Sequence, residues 1–218
     1  MDRTITIKEP FNAFSHMVGA LLSLVGLSIL VTLSVKTATA WHVVSFSIYG
    51  TSLFLLYISS TVYHLIWIND KITSILKRLD HTMIFILIAG TYTPFCLIPL
   101  RGVWGWSLFS IIWGIAFTGI FLKWFRTGIS RWVSTGIYLF MGWICLAAIY
   151  PLFKTVPIAC LAWMAAGGLF YSIGAVIYGT KSPNPYPGVF GFHEIWHIFV
   201  MLGSFCHFWS IFGYLLYL

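Results

Sequence analysis

Seven runs of apolar residues, each about as long as one bilayer crossing, are separated by short stretches that hold nearly all the charge. Taking roughly 20 apolar residues as one transmembrane helix, the runs fall near residues 14–35, 43–67, 82–99, 103–122, 132–152, 156–178 and 194–217. The closest pairs of runs are divided only by "PLRG" and "FKTVP", each with a charge and a proline suited to a tight reversal. Two longer connections remain. The first, 68–79, is polar and basic; the second, 179–192, reads "GTKSPNPYPGVFGF", and its prolines favour an extended path into the last run.

Composition agrees with this pattern. The 218 residues are 60% hydrophobic and 8% charged, more apolar surface than a water-soluble domain of this size can bury. The chain is therefore expected to be an all-α integral membrane protein, one seven-transmembrane-helix bundle spanning 1–218. No internal repeat, low-complexity tract or separate soluble domain interrupts it.

The formal net charge of +7 would suggest nucleic acid in a soluble protein. Here the cations mark topology, because Lys and Arg accumulate in cytoplasmic loops. Nine of the twelve lie at the amino terminus and in the second, fourth and sixth connections: Arg3, Lys8, Lys71, Lys77, Arg78, Lys123, Arg126, Arg131 and Lys181. Lys36, Arg101 and Lys154 lie on the opposite side. That split predicts a cytoplasmic N-terminus, an outside C-terminus and a multi-pass protein of the cell membrane, the inner one in a Gram-negative bacterium. "TATAW" at 37–41 imitates a signal cleavage site, but the preceding run of about 22 residues exceeds the ~7–15 of a signal core. Cys96, Cys145, Cys160 and Cys206 have no metal-ligand spacing and read as reduced packing residues.

Ionisable side chains at or within a span cost a few kcal/mol each and demand a partner or a function. With alternating spans, His16, His64, Asp80, His81, His193 and His197 all fall at the cytoplasmic side, with Glu9 and Asn12 beside them. His193 and His197 are four apart, so they share a helix face and can serve as two ligands of one ion. His64 is the natural third, leaving a fourth position for water as in catalytic zinc sites. Asp80 can take a proton as general base, and Ser60, one turn before His64, can orient a ligand or the water.

Blander readings stand beside these. Asp80 follows "LKR" and could cap a helix or pair with Lys77 or Arg78; Ser60 could simply pack. Glu9, Asn12 and His16 share one face and suit a network behind the ligands. His81 points away from Asp80, His42 lies at the far end, and His207 reads as a satisfied interhelical histidine. Pro94 removes a backbone hydrogen bond in the third span and is expected to open space between helices.

Residues 193–197, "HEIWH", spell the H-E-x-x-H of zinc proteases. The longer form with a downstream glycine and third histidine fails, since Gly203 and His207 stand at the wrong offsets. An intramembrane protease is thus the weaker alternative, and Glu194 is expected to be incidental.

"SSTVYH", "LDHTMIFILIAGTYTPF", the H-x-x-x-H opening the last span and "EPFNAFSHMVGA" together resemble the hemolysin III branch of the progestin and adipoQ receptor superfamily, kin to adiponectin receptors and alkaline ceramidases. The resemblance covers essentially the whole chain. It implies a seven-helix bundle with Zn2+ on His64, His193 and His197, and Asp80 and Ser60 close to the water. The function expected is a metal-dependent hydrolase of a membrane lipid, an amide such as a ceramide-like molecule, with a lipid or fatty-acid-like ligand and no nucleic acid. The alternative is a non-enzymatic receptor or cytolytic protein with a structural zinc.

Overall fold

The computed structural model describes residues 7–126 and 130–218, and within them the regular structure is helical. The helices are α1 (Pro10–Thr37), α2 (Ala40–Leu65), α3 (Asp70–Leu97), α4 (Val103–Phe125), α5 (Arg131–Trp143), α6 (Ile149–Thr155), α7 (Ile158–Thr180) and α8 (Phe192–Tyr214). A 3-10 stretch, Ile144–Ala148, joins α5 to α6, so that Arg131–Thr155 forms one 25-residue rod. Among the described residues this gives seven long rods. Six of them, all but α3, are long and apolar enough to cross a membrane.

Sequence chemistry sets the ends of the rods. Pro10 opens α1, where its missing N–H costs nothing. Asn69 caps α3 by accepting from the Ile72 amide at 2.9 Å, and Ser130 caps α5 by accepting from the Val133 amide at 3.2 Å. The α3 cap corrects two expectations. The polar stretch 68–79 is helical from Asp70 rather than a connection, and Asp80 lies inside the helix rather than at its cap. At 1.5 Å per residue the 28 residues of α3 reach ~42 Å, longer than the ~30 Å thickness of a hydrocarbon core.

Pro151 explains the break in the fifth rod. It cannot donate to the carbonyl of Ala147, four residues back, and the backbone tightens into 3-10 geometry over the preceding residues. Tyr92 of α3 repairs the polar groups freed there. Its hydroxyl lies 2.7 Å from the Met141 carbonyl and 2.9 Å from that of Gly142, and accepts from the Cys145 amide at 2.9 Å. In lipid, where water cannot satisfy the backbone, such a repair is required. Pro94 is tolerated inside α3, which runs on to Leu97.

Neighbouring helices pack in the order α1–α2–α3, with α4 against α3, α5 against both α3 and α7, and α7 against α8. Contact between α8 and α1 closes the ring, and α4 also meets the 3-10 stretch of the fifth rod. Close approach is bought with small residues: a Cβ on Gly19 of α1 would lie 2.7 Å from the Tyr57 ring of α2, and one on Gly90 of α3 would collide with the Ser52 side chain. Hydroxyls join the helices as well. Tyr57 donates to Ser204 Oγ at 2.8 Å, Tyr171 lies 2.8 Å from the same oxygen, and Trp143 donates to Ser172 at 2.9 Å. The outer surface is rich in exposed Leu, Phe, Ile and Trp, as in Leu21, Leu22, Phe117, Phe121 and Phe140, which suits lipid rather than water.

All four cysteines are free, in line with their reading as packing residues. The connection after α7 is less extended than its prolines suggested. Gly188, at φ +83°, lets the chain reverse so that Tyr186 and Phe190 exchange backbone hydrogen bonds of 3.0 and 2.9 Å. Phe190 then packs edge-on against Phe11 of α1, 5.3 Å between ring centres.

Candidate metal centre

His64 from the last turn of α2 and His193 and His197 from the first turns of α8 converge. One potential ligand atom from each of the three lies within 4.8 Å of the other two. Ring centres are 4.8 Å apart for His64 and His197, and 5.0 Å for both His64–His193 and His193–His197. His64 and His197 are buried, and His193 is half-buried.

His64 carries the clearest sign of a missing partner. Its Nδ1 is 2.7 Å from Glu9 Oε2, while its Nε2 is buried and makes no hydrogen bond, and His197 Nδ1 is likewise buried and bare. A buried polar atom left bare is costly, and imidazole nitrogen is a good zinc donor. Three nitrogens about 2.0–2.1 Å from one tetrahedral ion stand ~3.3 Å apart, so side-chain shifts of under ~1 Å each would close this triad on zinc. The donor set fits the ion.

Glu9 makes the network behind the triad tighter than its sequence position suggests. Its amide donates to the His64 carbonyl at 3.0 Å, its carboxylate accepts from Asn12 Nδ2 at 2.9 Å, and His193 Nδ1 stands 3.6 Å away. Burial alone would raise the Glu9 pKa, but the hydrogen bond and charge of His64, with Asn12 and His193, outweigh it and hold the carboxyl well below the ordinary value. Asn12 also donates to Glu194 Oε1 at 3.0 Å. The other oxygen of Glu194 accepts from the Gly191 amide at 2.8 Å and so closes the N-terminus of α8. Glu194 thus helps build the site, although the sequence reading made it incidental. His16 stacks on the His197 ring, 3.8 Å between centres.

Asp80 and Ser60 both line the space beside this cluster. Among the described residues Asp80 makes no ion pair, so the pairing with Lys77 or Arg78 weighed from the sequence is not formed. His81 also lines that space, with Nδ1 2.7 Å from the Lys77 carbonyl and Nε2 3.5 Å from the Tyr178 hydroxyl. His42 bonds Thr39 and the Leu215 carbonyl, at 2.8 and 3.1 Å. His207 corrects its reading as a satisfied residue: Nδ1 is buried without a hydrogen-bond partner, and the ring stacks on Tyr171.

Sequence reasoning missed the cavity. A space of about 490 Å³ lies inside the helix ring, reached by His16, Ser60, Asp80, His193 and His197 at one end and lined deeper by apolar side chains of α3, α5 and α7. Leu87, Tyr92, Phe95 and Leu161 are among them. No sequence period announces such a cavity, because its wall is shared among helices distant in the chain.

The haemolysin-III-related family matches residues 5–208 of this chain. The chain is 41% identical over 210 residues to "Hemolysin-3 homolog" of Bacillus subtilis, covering 96% of this chain and 95% of that protein. It is 42% identical over 210 residues to "Hemolysin-3" of Bacillus cereus, covering 96% and 92%. More distantly, it is 28% identical over 226 residues to "ADIPOR-like receptor IZH2" of Saccharomyces cerevisiae, covering 91% and 69%. The chain belongs to the haemolysin-III-related family.

Proposed function

We propose that this protein is a seven-span membrane hydrolase that uses zinc, held by His64, His193 and His197, to cleave a lipid drawn from the bilayer. The observation that carries the reading is the meeting of three features in one place: three convergent imidazoles, two of them with a bare buried nitrogen, a carboxylate beside them, and an apolar cavity leading away. Pockets of about 300–1,000 Å³ with a few convergent polar groups are the usual form of a small-molecule site.

When bound, zinc supplies a lowered pKa for an attacking water and polarisation of a carbonyl. The chain does the rest. Asp80, which lines the same space as Ser60, accepts the proton that the water loses and returns it to the leaving group. Glu9 fixes the tautomer of His64, because a carboxylate on Nδ1 requires that nitrogen to carry the proton and leaves Nε2 free to donate its lone pair. The cavity wall excludes water from the acyl chain and aligns the bond to be cut with the polar end. Imidazole ligands favour zinc over the oxygen-seeking cations.

The nine-to-three distribution of cations orients the bundle with its N-terminus in the cytoplasm, which brings the site to the inner leaflet of the cell membrane. There the bond between acyl chain and polar head lies at the level of the metal. The protease reading is disfavoured by Glu194, whose two carboxylate oxygens are already engaged.

Lipid extracts incubated with purified wild type and with Asp80→Asn, both checked for metal content, test the reading. Fatty acid is expected from wild type and not from the variant, with zinc retained in each. Retained zinc with no release from either points to a structural ion, and loss on Glu194→Gln but not on Asp80→Asn makes Glu194 rather than Asp80 the general base.

A further inference from the structure

Three cations line the polar end of the cavity from three different helices: Lys77 of α3, Lys123 of α4 and Arg131 of α5. Topology alone does not explain them. A cytoplasmic cation satisfies the positive-inside rule wherever its side chain points, and long side chains at a span's end normally reach outward to water, as that of exposed Lys77 partly does, whereas Lys123 and Arg131 are half-buried. Lys71, Arg78, Arg126 and Lys181 belong to the same group of nine cations without lining the cavity.

Two of the three are held in place by neighbours. Lys123 Nζ donates to Ser134 Oγ at 3.2 Å, and Ser134 is itself buried. Arg131 Nη1 donates to the Tyr178 carbonyl at 3.2 Å, and the guanidinium lies 5.3 Å from the Tyr178 ring centre. An ammonium has three donors and a guanidinium five, so most of their donors are unspent. Among the described residues none of the three cations forms an ion pair, although Asp80 lines the same space.

The apolar part suits a single acyl chain. From Asp80 to Phe95, both lining residues, α3 rises ~22 Å, against ~15 Å for one leaflet's share of the hydrocarbon core. We propose that the protein's substrate is a single-chain lipid with a phosphate in its headgroup, the phosphate held by Lys77, Lys123 and Arg131 and the chain lying along α3. This deepens the hydrolase reading and rests on it for the placing of the scissile bond beside Asp80. Phosphate matches the site because a guanidinium can bind it by two parallel hydrogen bonds while ammonium groups balance its remaining charge.

Binding to purified, metal-loaded protein in neutral detergent, read by tryptophan fluorescence, tests the assignment without requiring turnover. The probes are lysophosphatidate, monoacylglycerol of the same chain, and inorganic phosphate. Lysophosphatidate is expected to bind at least tenfold more tightly than monoacylglycerol, with the preference falling as salt rises. Lys123→Gln and Arg131→Gln should each lower lysophosphatidate affinity about tenfold or more while leaving monoacylglycerol affinity unchanged, which also shows that the variants are folded.

Equal affinity for the charged and neutral lipids, or equal losses for both in the variants, overturns the proposal and leaves the hydrolase reading standing. Inorganic phosphate binding as tightly as lysophosphatidate would overturn the lipid source of the anion. A wild type that shows the expected preference but cleaves no lipid supports the binding site and sinks the hydrolase reading alone.

Discussion

Glu9 and His64, 55 positions apart in the chain, are joined twice: the Glu9 carboxylate lies 2.7 Å from His64 Nδ1, and the Glu9 amide donates to the His64 carbonyl at 3.0 Å. The segment before α1 thereby fixes both the ring and the backbone of a candidate ligand. A carboxylate behind a ligating histidine sets its orientation and raises its basicity. Glu9→Gln should therefore weaken zinc binding by about 10–100-fold without abolishing it. Competition against a chromophoric chelator measures this, and unchanged affinity would separate Glu9 from the site.

Acid should release the metal. Each ligating imidazole must be neutral, and free histidine takes up its proton near pH 6.5, so affinity is expected to be full above about pH 7 and to fall steeply below about pH 6. Glu9 does not add to that loss. Its folded pKa lies below its ordinary value of 4.5, so its stabilising charge is present above that value and disappears only in stronger acid. Zinc retention measured after equilibration from pH 8 to pH 5 checks the sign.

Asp80→Asn keeps the shape of the side chain and the room around Ser60 but cannot take up a proton. Turnover should fall by about 10²–10⁴-fold, with metal affinity within a few-fold of wild type. Initial rates of fatty-acid release, set against zinc content of the same samples, separate a loss of proton transfer from a loss of metal.

Gly90 lies where α3 crosses α2, against Ser52. Gly90→Ala forces a methyl group into that contact and should destabilise the bundle by about 1–3 kcal/mol. Thermal unfolding in detergent, with Gly114→Ala as the control because nothing lies within 4 Å of a Cβ there, measures the difference.

Much of this arrangement was legible in the sequence. The apolar runs marked the helices because a bilayer sets their length, and the three histidines stood out because ionisable groups are expensive there. The spacing of His193 and His197 carried their shared direction. The start of α3 was missed because Asp70–Leu79 lacks the apolar run that marked the other helices, although its N-cap, Asn69, was present to be read. Glu9 could be assigned to a network behind the ligands from its helix face, but its contact with His64 depends on how α1, α2 and α8 pack. The second role of Glu194, tying α8 to Asn12, depends on the same packing. The cavity and its three cations were invisible for a like reason, since Lys77, Lys123 and Arg131 come together only when three rods are assembled.

X-ray absorption at the zinc edge of the purified protein tests the central claim most directly. One zinc per chain with three imidazole nitrogens at about 2.0–2.1 Å is expected in wild type, and loss of that signal in His64→Ala. A wild type without stoichiometric zinc, or a His64→Ala protein with an unchanged spectrum, would contradict the account.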